Sequence, residues 1–130
     1  FNSMFEGATF FNQDIGSWNV SSGTTFQEMF ADASSFNQDI GEWDVGLSSA
    51  FQGMFGGASD FNQDIGSWDV SSGENFMLMF AGDLEHVPSS SFNQDISSWD
   101  VSYGINFVGM FDGASAFTIA CLGFSLRRYW

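Results

Sequence analysis

The chain has one cysteine, one proline and one histidine among 130 residues, and its only basic residues besides that histidine are Arg127 and Arg128. A single cysteine excludes an internal disulfide framework and any CxxC metal site, so packing has to hold the fold. With no lysine to offset sixteen carboxylates, the formal charge is −14. Phosphate binding needs a basic footprint, so nucleic acid is excluded as a partner and anionic lipid headgroups are disfavoured. No run of about 18 apolar residues occurs, so no helical membrane span is expected. No signal peptide is visible, and the sequence opens at Phe1 in mid-repeat, so we expect a piece of a longer protein.

What is abundant is aromatic. Seventeen Phe and five Trp, within 44% apolar content, are too much for a disordered tail and suit one packed domain. Their order is periodic. Phe11-Asn12-Gln13-Asp14-Ile15 returns as residues 36–40, 61–65 and 92–96, which divides residues 1–130 into units 1–25, 26–50, 51–75, 76–106 and 107–130. The fourth unit carries six extra residues and the fifth is degenerate. A fixed period of this length marks a stack in which each unit buries its apolar face on its neighbours.

Each unit has two halves. Phe26, Met29 and Phe30 lie at i, i+3 and i+4, as do Phe51/Met54/Phe55 and Phe107/Met110/Phe111, which predicts a helix of about two turns. Thr25 with Glu28 and Ser49 with Gln52 fit capping boxes. Gly7, Gly57, Gly82 and Gly113, with Asp32 in the remaining place, fit a left-handed cap two residues after each Met-Phe pair. In the second half Ile40, Trp43 and Val45 fall in an LxxLxL pattern, which predicts a strand. Ile15/Trp18/Val20, Ile65/Trp68/Val70 and Ile96/Trp99/Val101 repeat it. In the last unit Phe117 aligns with Phe11, so Cys121, Phe124 and Leu126 take the strand places. The expected fold is therefore α/β: a right-handed leucine-rich-repeat-type solenoid of about five coils, with a parallel sheet on one face and short helices on the other. Phe11, Phe36, Phe61 and Phe92 with Trp18, Trp43, Trp68 and Trp99 would form its structural ladder.

The run FNQDIGSWDVSS at residues 61–72, followed by a Met-Phe segment, resembles the BspA-like leucine-rich-repeat surface proteins. That family overlaps the bacterial surface-protein and mycoplasma-type lipoprotein repeats of unknown function. The resemblance covers about residues 1 to 117. It implies an extracellular or cell-surface location and protein binding, with no catalytic residues to carry over. This chain departs from the pattern in two places. Gly23, Gly73 and Gly104, with Ser48, stand where an apolar residue is usual, and Phe replaces the usual Met at the predicted helix start. A tighter turn and a more aromatic core should follow.

Chemistry is sought first in the column Asn19, Asp44, Asp69 and Asp100, between the inward Trp and Val of each unit, with Glu42 beside it. Carboxylates about 4.8 Å apart repel by roughly 1 kcal/mol in water, which a cation, a raised pKa or a basic partner would relieve. Two readings are open: calcium held at Asp44, Asp69 and Asp100, or a solvated acidic face. No DxDxDG loop supports the first. The Asn-Gln-Asp triplets (Asn12, Gln13, Asp14 and their copies) read as turn and ladder residues.

The insertion within residues 82–89 carries Leu84, Glu85 and His86 and reads as a rim loop, either a binding edge or a tolerated excursion. His86 has no repeated partner and Cys121 sits at a core place, so a Cys-His nucleophile pair is not expected. Asn19-Val20-Ser21 is a formal glycosylation sequon. Arg127, Arg128, Tyr129 and Trp130 either cap the stack or leave an open apolar end through which copies self-associate. The function expected is non-enzymatic recognition of protein or glycan through the acidic face, the alternative being a structural spacer without binding of its own.

Overall fold

The computed structural model describes residues 1–82 and 90–118. The α/β architecture expected from the sequence is not what forms. Among the described residues there is no helix and no continuous strand, and the ladder-type pairings are three isolated parallel bridges, Thr25–Ala50, Ala50–Asn75 and Asn75–Asn106. Neither a parallel sheet nor a helical layer exists among them. The coils are built from turns, and the two halves of each unit reach that result by different routes.

In the Met-Phe half the amide groups divide between two tasks. The N–H groups of Met29, Ala31 and Ala33 close turns on the carbonyls of Phe26, Glu28 and Phe30 at 3.0–3.2 Å. The alternate N–H groups, those of Phe26, Glu28, Phe30 and Asp32, leave the coil and donate to Ala50, Gln52, Met54 and Gly56 of the next one at 2.7–2.9 Å. The same pattern runs from Phe51, Gly53, Phe55 and Gly57 to Asn75, Met77, Met79 and Ala81. A helix would turn its amides beyond the first four onto its own carbonyls and could not send alternate ones to the next coil along its length. The alternation requires a left-handed residue at every fourth place, found at Glu28 (φ 54°) and Asp32 (φ 57°), and at Gly53 (φ 58°) and Gly57 (φ 71°). Two such residues four apart cannot sit in a right-handed helix. The expected capping boxes therefore have no helix to cap: Thr25 Oγ1 instead donates to Asn2 Oδ1 at 2.8 Å. The left-handed place after the Met-Phe pair is present at Gly7, Asp32, Gly57 and Gly113.

In the Ile-Trp-Val half, side chains capture the donors that a sheet would need. Asp14, Asp39, Asp64 and Asp95 each accept the N–H two residues on, at 2.8–3.0 Å. Asn19, Asp44, Asp69 and Asp100 do the same, at 3.0–3.2 Å. Two side-chain turns five residues apart bend the segment away from strand geometry. Coils are joined here by the indoles: Trp43, Trp68 and Trp99 donate Nε1–H to the carbonyls of Ile15, Ile40 and Ile65 in the preceding coil at 3.0–3.2 Å.

The core is columns of rings. Phe30, Phe55, Phe80 and Phe111 follow one another at centroid distances of 5.5–5.8 Å, and Phe36, Phe61 and Phe92 at 5.9–6.1 Å. Within a coil the two columns face each other at 3.9 Å, as in Phe30–Phe36 and Phe55–Phe61. Phe80 and Phe92 keep that 3.9 Å spacing across the insertion, so the extra residues leave the stack undisturbed. Trp43, Trp68 and Trp99 are buried at 2–3% exposure, whereas Trp18 is 40% exposed. A Cβ on Gly23 would lie 2.7 Å from Phe26 Cζ, and Gly73 and Gly104 meet the Phe76 and Phe107 rings in the same way. The ring three residues on fills the room that a side chain at the glycine would take, which links the two departures from the family pattern. Ser48 takes that place in the second coil, fully buried, with its Oγ donating to the Ala50 carbonyl at 3.3 Å.

Candidate functional site

Asn19, Asp44, Asp69 and Asp100 occupy corresponding places in four successive coils, and all four are exposed, as is Glu42. Each member caps its own turn. Asn19 Oδ1 accepts both the N–H (3.1 Å) and the Oγ–H (2.7 Å) of Ser21. Asp44 and Asp69 approach one another: a Cβ on Gly46 would stand 3.4 Å from Asp44 Oδ1 and 3.4 Å from Asp69 Oδ2.

Electrostatically the column is quieter than its spacing suggests. The Ser71 hydroxyl and then its N–H hold the Asp69 carboxyl below its usual range. At Asp100 the N–H and hydroxyl of Ser102 do the same, and outweigh the upward push of the Asp69 charge. Asp95 is lowered by the N–H and hydroxyl of Ser97. A raised pKa, one of the three routes to relief, is therefore not taken at these residues; hydrogen bonds to the ionised form outweigh repulsion across solvent. Ser71, Ser97 and Ser102, two residues after these three aspartates, carry this effect, and the Asp-x-Ser spacing was its sequence signal.

Glu42 takes the place of Ser67 and Ser98, whose hydroxyls donate to the carbonyls of Gly41 and Gly66 in the coil before at 3.1 and 2.6 Å. It exchanges a coil-to-coil tie for a charge. The Asn-Gln-Asp triplets are structural. Asn12 Oδ1 accepts from the Asn37 N–H and from Gln38 Nε2, both at 2.9 Å, and the Asn37 and Asn62 side chains repeat both bonds to the coil above.

Among the described residues no three His, Cys, Asp or Glu side chains form a group that could hold a metal ion, so Asp44, Asp69 and Asp100 make a file and not a cage. Leu84, Glu85 and His86 lie outside the described residues, as do Cys121 and the segment Arg127 to Trp130. The ladder residues Phe36, Phe61 and Phe92 are buried in the core, with Phe11 packed partly buried against it. One feature went unpredicted: Tyr103, Ile105 and Val108 are exposed. Comparison with Ser72, Glu74 and Met77, their counterparts one coil earlier, would have drawn notice to the first two.

These observations define a repeat protein of stacked, turn-built coils with two side-chain-capped turns per coil facing water. The chain belongs to the family described as Mycoplasma protein of unknown function, DUF285, whose profile matches residues 1–89 and again residues 52–127. No curated protein and no solved structure matches the chain. No helix among the described residues is long and apolar enough to cross a membrane.

Proposed function

We propose that the chain is a non-enzymatic recognition module, exposed outside the cell or on its surface, that presents the acidic column to protein or glycan. The observation that carries the reading is the column itself: exposed acceptors, one per coil, held in fixed orientation by their own turns. Orientation fixed before binding lowers the ordering cost of association. The resemblance to BspA-like surface proteins supports the location. Calcium at Asp44, Asp69 and Asp100 is not required by this reading, because hydrogen bonds already favour the ionised form at Asp69 and Asp100.

Asn19 supplies the variant that tests it, since an amide at this place keeps the same turn. In Asp44→Asn/Asp69→Asn/Asp100→Asn the charge goes and the turn stays. Titration over a glycan array and over immobilised cationic proteins should show binding to the native chain and at least a tenfold loss in the triple variant. Equal binding by both, or none by either, overturns the reading. The second outcome favours a structural spacer, a reading supported by the Asn12–Asn37–Asn62 ladder, in which repeated polar groups are consumed in joining coils.

A further inference from the structure

In the two columns of left-handed residues, each side chain larger than serine is followed in the next coil by glycine: Glu28 by Gly53, Asp32 by Gly57 and Leu78 by Gly109. Backbone conformation alone does not ask for this. Ser3, Glu28, Asp32 and Leu78 all hold the left-handed region with a Cβ in place, so the turn itself admits side chains.

The contact between coils supplies the reason. The N–H groups of Glu28, Asp32 and Leu78 donate to the carbonyls of Gln52, Gly56 and Val108 at 2.9, 2.7 and 3.0 Å, in each case the residue just before the glycine. Those bonds set each left-handed residue against its counterpart, and its side chain lies forward over it. A Cβ on Gly53 would stand 3.2 Å from Glu28 Cγ, one on Gly57 would stand 3.2 Å from Asp32 Cγ and nearer still to its Oδ1, and one on Gly109 would stand 2.7 Å from Leu78 Cδ2. The contact has a direction. Around the Gly53 place the atom within 4 Å is Glu28 Cγ, from the coil before, and not an atom of Leu78 in the coil after. A side chain therefore occupies the room of its successor and leaves that of its predecessor open.

We propose that these pairs are a steric key that decides which coil can follow which: a coil with a large side chain at a left-handed place takes as its successor a coil with glycine there. The key controls how the stack, and the acidic column with it, can lengthen by repeat duplication. Residues 51–75, with glycine at both places, can follow residues 26–50 or a copy of themselves. Residues 26–50 cannot follow their own copy, because Glu28 and Asp32 would meet a second glutamate and a second aspartate, and like charge adds to the overlap. A double-mutant cycle in urea tests the contact. Gly57→Ala should lower the unfolding midpoint of the native chain, and in the Asp32→Gly background the shift should be roughly half as large or less. Alanine meets the same left-handed strain in both backgrounds, so the difference reads the contact alone. Should Gly57→Ala fail to fold, Gly53→Ala with and without Glu28→Gly makes the same comparison. Equal shifts in the two backgrounds mean that the side chain swings aside, and overturn the proposal. The succession rule is read from two lengthened chains, one with residues 51–75 duplicated after Asn75 and one with residues 26–50 duplicated after Ala50. The first should melt no lower than the native chain and the second lower, with Glu28→Gly/Asp32→Gly in its second copy restoring the loss. A second chain as stable as the first, or one that those glycines do not restore, overturns the rule.

Discussion

Glu28 and Leu78 hold φ values of 54° and 56°, in the left-handed region where Gly53 and Gly109 stand in neighbouring coils. For a residue with a Cβ that region costs about 1–2 kcal/mol, and glycine gives back roughly 0.5–1 kcal/mol of that through its freer unfolded chain. Glu28→Gly should therefore raise unfolding free energy by about 0.5–1 kcal/mol in urea titration. Gly66 is the opposite case: a Cβ there would stand 2.6 Å from the Asp95 carbonyl oxygen of the next coil, a backbone atom that cannot swing aside. Gly66→Ala should cost about 1–3 kcal/mol by the same measurement, as overpacking does. Both sites were visible in the sequence as letters; the close coil-to-coil approach that gives Gly66 its role was not.

The turns carry the acid response. Asp69, Asp95 and Asp100 have folded pKa values depressed by Ser71, Ser97 and Ser102. A depressed carboxyl contributes stability that is complete above its unfolded pKa and is lost as pH falls through its folded one. Melting temperature should thus be level from about pH 8 to 5 and fall below about pH 4. The fall should be smaller in Asp69→Asn/Asp95→Asn/Asp100→Asn, followed by circular dichroism. Trp68 tests the other link of its half-unit: Trp68→Phe removes the indole bond to the Ile40 carbonyl at 3.0 Å and leaves that carbonyl the Trp43 N–H at 3.1 Å, so the lost coil-to-coil hydrogen bond should cost about 0.5–1.5 kcal/mol.

Why the elements were misread is legible in these same residues. Phe26, Met29 and Phe30 all point inward, as a helix would place them, yet a chain of turns with a left-handed break at Glu28 gives the same apolar face. Ile40, Trp43 and Val45 likewise bury one side in either geometry. Apolar spacing reports which side chains share a face. It does not report where the amides go, and here Asp39 and Asp44 take two of them.

The described coils form columns, and their period could be read because the core rings of one coil stack on like rings of the next. Phe5, Phe30, Phe55, Phe80 and Phe111 succeed one another without a gap, and the insertion is absorbed between Phe80 and Phe92. The acidic column was equally legible, since one exposed place per unit repeats. The exposed Tyr103 and Ile105 could be found only by comparing one coil with the next, because a substitution in a single coil leaves no periodic trace. Coils that depend on neighbours for both amide partners and ring contacts should unfold as one array. One transition, coincident by tryptophan fluorescence and far-ultraviolet circular dichroism, is expected.

The central claim is that alternate amides of the Met-Phe half reach forward to the following coil. Scalar couplings across hydrogen bonds in a labelled sample read this directly. The account predicts couplings from the Phe30 nitrogen to the Met54 carbonyl carbon and from Phe55 to Met79, the pairs at 2.9 Å. Couplings from Phe30 to Phe26 and from Phe55 to Phe51, the signature of a helix, would contradict it.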